Sequence, residues 1–107
     1  MAQDFTRYKA RLTGTSAATI FTANSNDTIV GISLANVAAT AITASVYIND
    51  GTNDFYLVKS APIPVGSSLQ VLDGGAKVVV QNGDILKVVS DTASSLDAWV
   101  STVDAIS

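Results

Sequence analysis

The 107-residue sequence contains no cysteine and no histidine, and all nine of its acidic residues are aspartate, because glutamate is missing too. Together these absences exclude disulfide scaffolds, thiolate nucleophiles, His- or Cys-ligated zinc and any Ser-His-Asp triad. A paired-carboxylate mechanism would have to use two aspartates. Lys and Arg number only six, and the net charge is −3. Nucleic-acid affinity rests on clustered cations that neutralise phosphates, so no nucleic-acid partner is expected. Nowhere does an apolar run approach the ~18 residues of a membrane span, so no membrane partner is expected either. Met1-Ala2-Gln3-Asp4 has no cationic stretch leading into an apolar one, the mark of a secretory signal, and synthesis in the cytosol is the expectation. Without thiols the redox compartment stays open.

What is present is apolar and small. Hydrophobic residues make up 48% of the chain, too many for disorder. The length predicts one domain, 1–107, that buries roughly 65% of its unfolded surface, a real but thin core. Part of its stability would then come from neighbouring subunits. Ala, Ser, Thr, Val and Ile fill most positions, a composition suited to pleated, half-buried surfaces. Val30, Ile32 and Leu34 recur at period two against Gly31, Ser33 and Ala35, as do Ile42, Ala44, Val46 and Ile48 against Thr43, Ser45 and Tyr47. Leu96, Ala98 and Val100 repeat the pattern against Asp97, Trp99 and Ser101. Further strands are predicted over Phe5–Thr13, Thr19–Thr22, Phe55–Val58, Ser68–Leu72, Lys77–Gln81 and Ile85–Ser90.

Asn49-Asp50-Gly51, Asp73-Gly74-Gly75 and Asn82-Gly83-Asp84 separate these runs, and their tolerance of positive φ predicts hairpins. Pro62 and Pro64 cannot donate to a ladder, which makes Ala61–Gly66 an extended connection or an edge segment. The short alanine runs at Ala17-Ala18 and Val37–Ala41 read as loops or strand ends. The expected fold is an all-β, single antiparallel β-sandwich, jelly-roll-like or immunoglobulin-like, with seven to nine strands.

Few residues offer chemistry. Most aspartates lie beside Gly or Asn, where a carboxylate caps its own turn. Lys59-Ser60 is formally a Ser–Lys pair, but neighbours in a strand face opposite ways. Asp50, Asn53 and Asp54 are a weak candidate for calcium, against the plain alternative of a polar hairpin turn. No cofactor is expected. Arg7, Lys9 and Arg11 recur at period two, with Tyr8, Ala10 and Leu12 lining the opposite face. This stripe reads either as charge protecting an edge strand or as a docking strip for an acidic partner. Tyr47, Phe55, Tyr56 and Trp99 are candidates for an oligomer or partner interface, or for a sugar-stacking platform.

Three segments carry a family resemblance: Ile29–Asn36, ending in Leu-Ala-Asn; Tyr56–Leu69, with Pro62-x-Pro64-x-Gly66-Ser67-Ser68-Leu69; and Asn82–Val88, a Gly-Asp turn feeding a strand. The chain resembles the small virion structural proteins of tailed bacteriophages, including those of cyanophages, from about Thr13 to Ser101. The resemblance implies a non-enzymatic particle component made in the host bacterial cytoplasm and located in the virion. Its partners would be major capsid or tail proteins and further copies of itself, with a trimer favoured by the symmetry of attachment sites. Capsid decoration is the first expectation, and a tail, neck or baseplate accessory is the alternative. A carbohydrate-binding β-sandwich module is the second alternative.

Overall fold

The computed structural model describes residues 2–23, 26–72 and 77–106. Among them are nine strands and no helix: β1 (Ala2–Thr13), β2 (Ala18–Thr22), β3 (Asp27–Asn36), β4 (Ile42–Asn49), β5 (Asp54–Ile63), β6 (Ser68–Leu72), β7 (Val78–Val80), β8 (Ile85–Ser90) and β9 (Leu96–Ile106). One sheet has the order β1-β9-β3-β6, with the short β7 also on β3, and the other has β2-β8-β4-β5. All pairings are antiparallel. In an immunoglobulin fold the first two strands share a sheet. Here β1 and β2 lie in different sheets, and with β7 set aside the order is that of an eight-stranded jelly roll.

The core lies between the sheets. Ile29, Ile32, Leu34, Leu96 and Val100 come from one side, and Ile42, Val46, Ile63, Leu86 and Val88 from the other, all fully buried. Each such side chain contributes about 1.5–3 kcal/mol. At one end Tyr8 of β1 stacks on Phe21 of β2, ring centroids 4.4 Å apart, joining the sheets. Elsewhere the join is polar. Asn36, at the end of β3, donates from Nδ2 to the carbonyls of Thr40 (2.9 Å), Ile63 (3.0 Å) and Pro64 (3.2 Å), while its Oδ1 accepts from the Ala38 amide at 2.8 Å.

Three local expectations are corrected. Val30 does not lead the core face of β3. Against β9, Ile29 pairs with Thr102 and Gly31 with Ser101, so a bulge inserts Val30 and reverses the phase; Ile29 is buried and Val30 only partly so. Leu12 does not share a face with Tyr8 and Ala10. A second bulge between Ala10 and Thr13 puts it at φ 53° and leaves it 44% exposed. Asn82-Gly83-Asp84 does turn, with Gly83 at φ 94° and the Asp84 amide on the Gln81 carbonyl. It is not a hairpin, however, because it carries the chain from β7 in one sheet to β8 in the other. Asp73-Gly74-Gly75 lies outside the described residues. Pro62 falls within β5, the edge strand of its sheet, which runs on well past Val58.

Candidate functional site

The stripe of cations lies on an edge. β1 is the outermost strand of its sheet, and Arg7, Lys9 and Arg11 are all exposed. Strand pairing aligns two rows across the outer face. Lys9, Trp99 and Ser33 form one, and Asp97 with Ala35 forms the next, with the bulged Arg11 at its β1 end. Ser33 and Ala35 are small, so the face sinks over β3 into an open cleft of about 480 Å³, lined by Lys9, Arg11, Ser33, Ala35, Asp97 and Trp99 along with the alanines Ala10 and Ala98.

Two contacts fix its walls. The guanidinium of Arg7 sits 5.4 Å from the centre of the Trp99 ring, a cation–π contact of about 0.5–1 kcal/mol at an exposed site. Asp97 Oδ1 accepts the Leu12 amide at 2.8 Å, which anchors the bulge beside Arg11. Trp99 remains 49% exposed. The cleft therefore offers an aromatic wall, two cationic side chains and a carboxylate already committed to the backbone.

The four aromatic candidates do not form one surface. Trp99 lies on the sheet of β1, whereas Tyr47, Phe55 and Tyr56 lie on the β4–β5 hairpin of the other sheet. Tyr47 is itself buried, with Tyr56 tilted against it at 5.0 Å and the Lys59 ammonium 5.1 Å from the centre of the Tyr56 ring. Burial holds the Tyr47 phenol above its ordinary pKa, and the charge of Asp54 and then Tyr56 add to this. Phe55 and Tyr56 stay exposed. Lys59 and Ser60 fall on a bulge of β5, where the Ser60 amide donates to Ser45 Oγ at 2.9 Å. The Lys59 ammonium lies over the Tyr56 ring.

The candidate calcium loop is a hairpin tip. Asp50 Oδ1 accepts the amides of Thr52 (2.9 Å) and Asn53 (2.8 Å), Asn49 Oδ1 accepts that of Gly51 (2.8 Å), and Asn49 Nδ2 donates to Asp54 at 2.7 Å. The amides of Asn53 and Thr52 hold the Asp50 carboxyl below its ordinary range. Side-chain oxygens of Asp50 and Asn49 thus close the turn itself, and both aspartates are exposed. Among the described residues no group of three or more acidic side chains gathers as a metal site.

Sequence reasoning missed the other half of the cleft. Ser33, Ala35 and Asp97 read only as outward-facing positions of their strands, and strand pairing alone brings them beside Lys9 and Arg11. No family model matches the chain, and no curated protein matches it. Among solved structures the chain is similar to one described as Bacillus endospore appendages that form a family of disulfide-linked pili. That match has a TM-score of 0.56 at 17% identity, over 95% of this chain and 84% of that one. At such identity the likeness shows a shared fold.

Proposed function

We propose that this chain is a non-enzymatic structural subunit of a repeating assembly, a jelly-roll module of a tailed-phage virion that decorates the capsid and docks through the β1 edge. A position in the tail, neck or baseplate is the alternative within the same reading. The observation that carries it is the coincidence, on one outer face, of a long edge strand, three exposed cations and a half-exposed tryptophan. Such a face suits an acidic protein surface. The likeness to a pilus protein supports a building-block role, although these 107 residues contain no cysteine and cannot themselves form a disulfide-linked polymer.

The test is co-localisation with and without the stripe. Tagged protein should co-sediment with intact virions and label them in a regular array under the electron microscope. Arg7→Glu with Arg11→Glu should abolish labelling while the free protein still folds and melts only a few degrees lower, since the change loses the Arg7–Trp99 contact of about 0.5–1 kcal/mol and otherwise alters exposed groups. Wild-type protein that stays with the unassembled fraction refutes the reading. A second reading, a glycan-binding module, is favoured by Trp99 beside polar Ser33 and Asp97. Saccharide titration followed by tryptophan emission tests it directly, because Trp99 is the sole tryptophan.

A further inference from the structure

The chain carries two exposed surfaces of opposite character. The cleft has Lys9 and Arg11 beside Trp99, with small Ser33 and Ala35 at its floor. At the end of the β4–β5 hairpin, in the other sheet, Asp50 and Asp54 flank the three residues Gly51-Thr52-Asn53, followed by Phe55 with 56% of its surface exposed. We propose that the cleft receives the acidic β4–β5 tip of a second copy of this chain, a head-to-tail contact that repeats. The inference rests on the structural-subunit reading and names the partner.

Three features support the fit. The charges are complementary: Lys9 and Arg11 face two carboxylates, and the cleft's own Asp97 already accepts the Leu12 amide, in a chain whose overall charge of −3 would otherwise make copies repel. The tip is pre-organised: both hydrogen bonds to Asp50 reach Oδ1, and Gly51 sits at φ 101°, so little ordering is lost on docking. Apolar surface also meets its match, since Tyr56, 45% exposed and two residues from Asp54 on the same face of β5, would meet an aromatic wall in Trp99. The two surfaces are different patches of one molecule. A contact between them is heterologous, and it generates a ring where the rotation closes and a filament where it does not.

Charge exchange tests the contact. Sedimentation velocity should show wild-type protein associating as concentration rises, with a blue shift of Trp99 emission. The association should fade toward about 1 M salt, where the Debye length falls to about 3 Å. Lys9→Glu with Arg11→Glu should weaken it at least about tenfold, and so should Thr52→Lys with Asp54→Lys; Asp50 is retained because it closes the turn. Neither variant should self-associate, but an equimolar mixture should, because each reversed surface then meets its complement. A wild-type protein that remains monomeric, or a mixture that does not recover, overturns the contact. If the cleft variant leaves virions while wild-type protein is monomeric, the cleft serves another virion protein and only this inference fails. Absence of wild-type protein from virions is the separate outcome that removes the structural reading.

Discussion

Replacing Asn36 by alanine should be among the most damaging single polar substitutions in this protein. The side chain is buried and makes four hydrogen bonds, three from Nδ2 to the carbonyls of Thr40, Ile63 and Pro64 and one from the Ala38 amide to Oδ1. The Nδ2 group has two hydrogens, so its three acceptors share them and the set counts as about three full bonds. At roughly 1 kcal/mol each, with partner groups left partly unsatisfied, the loss comes to about 3 kcal/mol. An unfolding entropy of about 2.1 cal/mol/K per residue converts this to a fall in Tm of about 13 °C. Circular dichroism melts and urea titration would measure it, with the m-value unchanged. Asn36→Asp should be no milder, because it keeps the acceptor for Ala38, loses every donor and buries a charge. A fall in Tm under about 3 °C would show that water or loop relaxation replaces these bonds and that Asn36 is not the polar link between the sheets.

Ile29→Ala should cost about 2–5 kcal/mol and Val30→Ala under about 1 kcal/mol, since the bulge places the first in the core and the second partly outside it; equal losses in urea titration would remove the phase reversal. Backbone amides, that of Asn53 first for Asp50 and that of Thr43 first for Asp91, hold both carboxyls below the ordinary 3.8, so the unfolded chain takes up protons before the folded one. Their stabilisation is therefore present above pH 3.8 and lost as pH falls through the lower folded values, and Asp91→Asn should flatten the acid limb of a Tm-versus-pH curve. Tyr47 behaves oppositely: its raised pKa means that the folded state keeps its proton longer, so stability should fall as pH climbs past 10.0, and Tyr47→Phe should flatten that alkaline limb.

Along β4 and β9, sequence periodicity and structure agree. Ile42, Ala44 and Val46, and again Leu96, Ala98 and Val100, alternate into the core as their spacing predicts, and Trp99 points outward. Periodicity fails at bulges, because a bulge is a property of two strands. Val30-Gly31 continues an apolar alternation without a break, and only the register of β9 forces the extra residue. Asn36 shows the same limit. A strand-ending Asn reads as a turn residue, yet two of its acceptors come from Ile63 and Pro64, brought close by the packing of the sheets. Of the cleft, the cationic wall and Trp99 were legible one strand at a time. Its floor depends on β3 lying two strands from β1, a topological fact that no local pattern encodes.

The edges of the two sheets explain why the β1 stripe can be both a guard and a dock. β5 is interrupted by two register shifts, with Ser60 at φ 53° and Pro62 unable to donate. β2 and β6 have five residues each and β7 three. β1, in contrast, pairs with β9 in unbroken register from Ala2 to Ala10, so its free side offers the longest regular edge among the described residues. Such an edge invites pairing with a second β1, and like charges facing each other across two strands oppose it. The same cations attract an acidic surface. Neutralising and reversing the stripe therefore separate the two roles. The triple change Arg7→Gln, Lys9→Gln and Arg11→Gln removes both, and should give protein that neither docks nor stays dispersed, with thioflavin-positive aggregates growing at high concentration. The reversal Arg7→Glu, Lys9→Glu and Arg11→Glu restores repulsion between edges without attraction to acid, and should give a soluble protein that fails to dock. If the glutamine protein stays as soluble as the glutamate one, the edge needs no guarding and the charges act in docking alone.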